Sequence, residues 1–169
     1  MKIAITGGIG SGKSYVCRLL ADRGITVYDC DAAAKRLMHT SEALQHSLRQ
    51  LVGADVYDGT QLQKAVLASY ILASEANKQA VNDIVHPAVA ADFESSGLTW
   101  LESAILFDSQ FDRRVSFDHV VCVSAPLEVR LARVMSRDGI GRAKALEWVG
   151  RQMSQDEVER RSDFVIVND

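Results

Sequence analysis

Cysteine is scarce. Cys17, Cys30 and Cys122 are odd in number and share no C-x-x-C spacing, which argues against a disulfide framework and a thiolate zinc site and fits a reducing compartment. The 2 prolines and 11 glycines exclude a collagenous or proline-rich chain. Aromatic residues make up only 7%, so Trp100 and Trp148 read as packing residues rather than base-stacking platforms. Charge of one sign is also lacking: 19 Lys+Arg face 22 Asp+Glu, a net of −3. The chain therefore has no broad positive field of the kind a nucleic-acid binder carries, and any basic site must be local. No run approaches the ~18 to 20 apolar residues of a membrane span, and glycines interrupt the N-terminus before a secretory stretch can build up. A cytoplasmic protein without membrane or nucleic-acid partners is expected.

What is present is the material of a globular domain. At 169 residues and 47% apolar, a single domain should bury about two-thirds of its unfolded surface without needing a staple. Strand-like and helix-like patterns alternate, the signature of a parallel sheet covered by helices. Lys2–Thr6, Ile25–Tyr28, Leu98–Leu101, His119–Val123 and Phe164–Val167 read as five strands. Val16, Leu19 and Leu20 give the first helix its apolar stripe, and Gly24 sits where a C-cap belongs. Between 32 and 96 the chain reads as almost wholly helical, with stretches near 32–38, 41–52, 60–72 and 75–85. Ser41, Thr60 and Ser74 are the expected N-caps of the last three, and Pro87 is expected to end the fourth at His86. Pro126 opens a further helix, Ser154-Gln155-Asp156-Glu157 forms a capping box, and 137–142 reads as a mobile basic loop.

The strongest signal is Gly7-Gly8-Ile9-Gly10-Ser11-Gly12-Lys13-Ser14. It satisfies G-x-x-x-x-G-K-[ST] and lies between a strand and a helix, as that motif requires. Glycines let successive backbone N–H groups converge on phosphate oxygens, and the helix N-terminus adds a favourable dipole. Lys13 is placed to reach the β- and γ-phosphates of a nucleoside triphosphate and the Ser14 hydroxyl to ligate Mg²⁺. The guanine-reading Asn-Lys-x-Asp element is absent, because Asn77-Lys78-Gln79-Ala80 lacks the aspartate, and large mechanical ATPases need more chain. A small-molecule kinase remains.

For the acceptor, Asp29 and Asp31 stand at the C-terminal end of the second strand, where open parallel sheets bind ligands. A period of two directs them to one side. Asp31 is the preferred base for the attacking hydroxyl, and an N-cap of the helix beginning at Ala32 is its alternative reading. His39, His46 and His119 share no metal-ligand spacing.

Several of these segments in order carry a family resemblance. Thr6 to Ser14, Gly24-Ile25-x-Val27-x-Asp29-x-Asp31, His86-Pro87, Leu106-Phe107-Asp108, Arg137-Asp138-Gly139 and Asp163-Phe164-Val165-Ile166-Val167-Asn168 together resemble dephospho-CoA kinases over essentially the whole chain. The resemblance implies ATP- and Mg²⁺-dependent phosphorylation of the ribose 3′-hydroxyl of dephospho-CoA. It implies Asp31 as base, Lys13, Arg137 and Arg142 around the transferring phosphate, and Asp29, His86 and Asp108 on the substrate side. Gly8 to Tyr15 and Asn168 would hold the nucleotide. Other P-loop nucleoside, nucleotide or shikimate-type kinases, and a non-catalytic ATP-binding regulatory module, are the rival readings.

The expected architecture is α/β: a P-loop kinase with a five-stranded parallel sheet. Its core is 1–31, 97–136 and 154–169, with a helical acceptor-binding insert at 32–96 and a short lid at 137–153. Two departures stand out. Asp108 replaces the family's usual glutamate, pulling the carboxylate back by one methylene, and Tyr15 replaces a commoner threonine. The family usually continues past the Asp-x-x-Ile-x-Asn segment into a closing helix, which is expected to lie beyond Asp169.

Overall fold

The computed structural model describes all 169 residues. They form two compact units, Met1–Asp29 with Leu98–Asp169, and Cys30–Gly97. The divisions fall between Asp29 and Cys30 and between Gly97 and Leu98.

The first unit is built on a five-stranded sheet of β1 (Ile3–Thr6), β2 (Val27–Asp29), β5 (Trp100–Glu102), β6 (His119–Ser124) and β7 (Phe164–Val167). Their order is β2-β5-β1-β6-β7, and every pairing is parallel. β1 therefore lies at the centre, between β5 and β6, and its residues Ala4, Ile5 and Thr6 are all buried. Near-continuous burial is what a parallel strand covered on both faces requires. The helices of this unit are α1 (Lys13–Ala21), α6 (Leu127–Asp138), α7 (Arg142–Gly150) and α8 (Gln155–Arg161). Ser154 caps α8, its side chain accepting from the Glu157 N–H at 3.3 Å, which is the N-cap half of the expected capping box, while the Glu157 carboxylate pairs with Arg160 and Arg161.

Half of the segment expected as a mobile basic loop, residues 137, 138 and 142, is helix. α6 runs through Arg137 and Asp138, only residues 139–141 form the turn, and α7 follows at once. Ala145 of α7 is fully buried against Leu131 and Val134 of α6, with Trp148 and Val149 packed on the same cluster. Apolar spacing at 145, 148 and 149 is the i, i+3, i+4 stripe that drives this helix against its neighbour. Residues 137–153 thus belong to the sheet-bearing unit. Pro126 is the N-cap of α6, its carbonyl accepting from Arg130 N–H at 3.0 Å, and the helix proper starts one residue later.

The second unit holds α2 (Cys30–Thr40), α3 (Glu42–Val52), a hairpin of β3 (Tyr57–Asp58) and β4 (Gln61–Leu62), α4 (Lys64–Ala73) and α5 (Glu75–Ser96). Two sequence expectations fail here. Thr60 caps no helix: with Gly59 it makes the turn of the hairpin, and α4 begins later, after Gln63. Asp58-Gly59 between short apolar runs is a hairpin signal that the helical reading overrode. Pro87 does not end a helix either, since α5 passes through it for 22 residues. Val81, Val85, Val89 and Phe93, spaced four apart and all buried, make α5 the spine of the unit against α2, α3 and α4. Removing a core aromatic such as Phe93, 0% exposed, typically costs about 3–5 kcal/mol. Tertiary packing of that size outweighs one backbone hydrogen bond lost at Pro87.

Candidate active site

The phosphate loop leaves the C-terminal end of the central strand β1 and feeds α1. Gly10 and Gly12 have φ of 79° and 94°, a region that side chains other than glycine rarely adopt. Space is equally restrictive. A Cβ on Gly12 would collide with the Asn168 carboxamide, and one on Gly10 would meet the Arg130 backbone. The N–H groups of Gly10 and Gly12 find no acceptor within the protein, and Ser11 Oγ is fully buried without a hydrogen-bond partner. α1 carries no carboxylate in its first turn and instead begins with Lys13. A cation at the positive end of a helix is unfavourable by itself. Together these features describe a site that wants an anion, and they fit a polyphosphate.

The loop is held from outside by side chains that sequence reading did not single out. Arg130 of α6, 5% exposed, donates from Nε to the Ile9 carbonyl at 3.0 Å and from Nη1 to Gln155 Oε1 at 3.0 Å. Burial pulls its pKa down from the ordinary arginine value, though a guanidinium keeps its proton far above neutral pH. Arg133 Nη1 reaches the carbonyls of Gly10 and Ser11, each at 3.3 Å. Gln152 Oε1 accepts from Ile9 N–H at 2.8 Å. Asn168, expected at the nucleotide, donates from Nδ2 to the Ser11 carbonyl at 3.1 Å, while its own N–H bonds Ser124 at 2.8 Å. The signal for Arg130 and Arg133 was there: two arginines three apart on the inner side of an amphipathic helix, one of them level with buried Leu131 and Val134.

A cluster of charged groups stands beside the loop. Asp29 and Glu102 are register partners at the ends of β2 and β5, and Glu102 lies one strand from Ile5 of β1. Cys17 of α1 senses all of them. Burial, the neighbouring Glu102 carboxylate with its hydrogen bond, and Asp29 push its thiol up to about 12, against the opposing pull of Lys13. Only the pairing of β5 beside β1 brings Glu102 to the loop.

The remaining expected residues fall as follows. Ser14 and Tyr15 are exposed at the start of α1, with the Arg18 guanidinium 5.9 Å from the Tyr15 ring centroid. α2 starts at Cys30, so Asp31 sits inside its first turn and is not its N-cap. For the same reason the period-of-two argument linking Asp29 to Asp31 does not hold, because the strand ends at Asp29. His86 lies mid-helix in α5, within the second unit. Asp108 Oδ2 accepts from Met153 N–H at 2.6 Å. Arg137 pairs with its neighbour Asp138 at 2.7 Å, and Arg142 makes a two-pronged contact with Glu128, both bonds 2.7 Å.

A phosphate loop at the end of the central strand of a parallel sheet ordered β2-β5-β1-β6-β7 defines a P-loop kinase. The family model for dephospho-CoA kinase matches residues 1–169. The dephospho-CoA kinase of Bacteroides fragilis is 40% identical over 176 residues, covering 100% of this chain and 85% of the relative. A crystallised Thermus thermophilus protein (TT1252) superposes with a TM-score of 0.84 at 32% identity, covering 100% of this chain and 88% of that one. The dephospho-CoA kinase from Campylobacter jejuni shares the fold, with a TM-score of 0.66 at 19% identity over 99% of this chain and 89% of its own. The chain belongs to the dephospho-CoA kinase family.

Proposed function

We propose that the protein transfers the γ-phosphoryl group of ATP to the ribose 3′-hydroxyl of dephospho-CoA, giving coenzyme A and ADP in the cytoplasm. The observation that carries this reading is the anion-seeking loop on β1 in a chain that matches the family from end to end. In the reaction the 3′-oxygen forms a new O–P bond as the bond from phosphorus to the β,γ-bridging oxygen breaks. ADP departs with that electron pair, and the Asp31 carboxylate takes the hydroxyl proton. The loop amides and Lys13 bind the polyphosphate. Arg137 and Arg142 offset charge on the moving group, and both are held only by exposed partners, Asp138 and Glu128, which an entering phosphate readily replaces. Asn168 orders the loop on the nucleotide side. Asp29 and His86 serve the acceptor, and the Cys30–Gly97 unit is assigned to gripping it.

The Ser14 hydroxyl, with Glu102 at the end of the adjoining strand, offers hard oxygen donors suited to Mg²⁺. Held there with ATP, Mg²⁺ would neutralise phosphate charge.

Purified protein incubated with ATP, Mg²⁺ and dephospho-CoA should yield coenzyme A, detected by mass spectrometry. Turnover with a nucleoside or shikimate but none with dephospho-CoA would refute the acceptor assignment. Asp31→Asn should retain ATP binding and lose about 10²-fold or more in turnover, the usual scale of general-base catalysis.

A further inference from the structure

Both peptide groups of Ile9 are taken by side chains from the C-terminal third of the chain. Its N–H donates to Gln152 and its carbonyl accepts from Arg130. Gln152 lies in the connection 151–154 between α7 and α8, where its own N–H bonds the Val149 carbonyl at 3.3 Å. The next N–H, that of Met153, has no ladder or helix to join, and the Asp108 carboxylate takes it at 2.6 Å. Asp108 is itself anchored. Leu106 and Phe107 beside it are buried, and the Arg161 guanidinium of α8 lies 5.4 Å from the Phe107 ring centroid. Two hydrogen bonds therefore run from the segment after β5, through the α7–α8 connection, to the phosphate loop.

We infer that Asp108 is a positioning residue for the nucleotide: through Met153 and Gln152 it fixes the Ile9 peptide of the phosphate loop, and it does not contact the acceptor. The inference rests on the loop being an ATP site. A carboxylate-to-amide bond is charge-assisted and among the stronger hydrogen bonds. It supplies an acceptor for a backbone N–H that has no other. With the connection held, the Gln152 carboxamide keeps the Ile9 peptide from turning, so the unpartnered N–H groups of Gly10 and Gly12 keep one geometry before ATP arrives. Preorganisation of this kind removes an ordering cost from binding. It also explains how an aspartate serves where the family resemblance leads one to expect a longer glutamate: the group it must reach is a backbone N–H of its own unit.

The test is the affinity for a non-hydrolysable ATP analogue by calorimetry, measured beside the KM of each substrate. Asp108→Ala should weaken the analogue about ten- to a hundredfold, the worth of one hydrogen bond to a charged group, and raise the ATP KM by the same factor, with the dephospho-CoA KM unchanged. Asp108→Asn, whose carboxamide oxygen still accepts from Met153, should return affinity to within about threefold of the starting protein. Gln152→Ala should reproduce Asp108→Ala, and the double variant should be no worse than either, as members of one relay must be. Should Asp108→Ala not fold, Asp108→Ser takes its place. A rise in the acceptor KM with analogue affinity intact, additive losses in the double variant, or unchanged affinity in Asp108→Ala would each overturn the inference. Analogue binding needs no acceptor, so a protein that binds the analogue but makes no coenzyme A refutes the proposed function while leaving this question decided on its own terms.

Discussion

At the scale of single residues, the glycine loop was legible in the sequence, because Gly7, Gly10 and Gly12 stand at positive φ with no room for a Cβ. Gly10 and Gly12 can be no other residue where they stand. The residues that hold the loop were not legible. Arg130, Arg133 and Gln152 reach it across more than a hundred positions of chain, and only the pairing of β1 with β6 brings them there. Cys17 shows the same dependence on neighbours. Its thiol is raised to about 12, and that of Cys122 to about 11, by burial first and by nearby Glu102 and Glu159 second. At pH 8 the Cys17 thiolate fraction should be about one part in ten thousand, so iodoacetamide should label neither cysteine in the folded protein at pH 8 and both after denaturation. The sign for stability follows. A folded pKa above the unfolded value of 9.0 means the folded state holds its proton longer, so this contribution is complete below pH 9 and fades as pH rises through 9 towards 12. Rapid labelling of Cys17 in native protein at pH 8 would contradict the environment described for it.

Among the elements, the five core strands, α1, α3 and the α8 cap follow the sequence closely, since each is set by a strong local pattern. The failures have different causes. Pro87 and Asp58-Gly59 are local signals, and in the second unit local preference yields to packing in one case and was masked by apolar spacing in the other. α7 was missed because two glycines at 139 and 141 obscured a stripe that acquires meaning only once α6 is opposite. The cap of α8 belongs to this scale. Ser154 follows directly on Gln152 and Met153, so its bond to Glu157 N–H both starts the helix and sets where the connection ends. Ser154→Ala should lower unfolding stability by about 1 kcal/mol in urea titration. It should also weaken ATP-analogue binding, though by less than Gln152→Ala. An unchanged unfolding midpoint would mean that the cap is redundant with packing of the buried Val158.

For the molecule as a whole, central placement of β1 does two things at once. It buries the strand that carries the loop, and it puts the loop where the sheet's connections diverge, on which the placing of ligands in such sheets depends. The consequence at the sheet's margin is less favourable. β7 pairs with β6 on one side only, and all four of its side chains, Phe164, Val165, Ile166 and Val167, are between 41% and 63% exposed. Four consecutive apolar residues of high β propensity, with no charge among them and an open row of backbone donors and acceptors, form the kind of edge that recruits another strand. Phe164 is partly restrained by edge-on contact with His119, ring centroids 5.6 Å apart; Val165 has no such contact. These 169 residues should therefore associate as concentration rises, seen as growing light scattering at neutral pH. Val165→Lys places a charge on the open edge and should suppress that scattering while leaving the far-UV circular dichroism unchanged. If scattering persists in Val165→Lys, association does not run through β7, and another surface must be responsible.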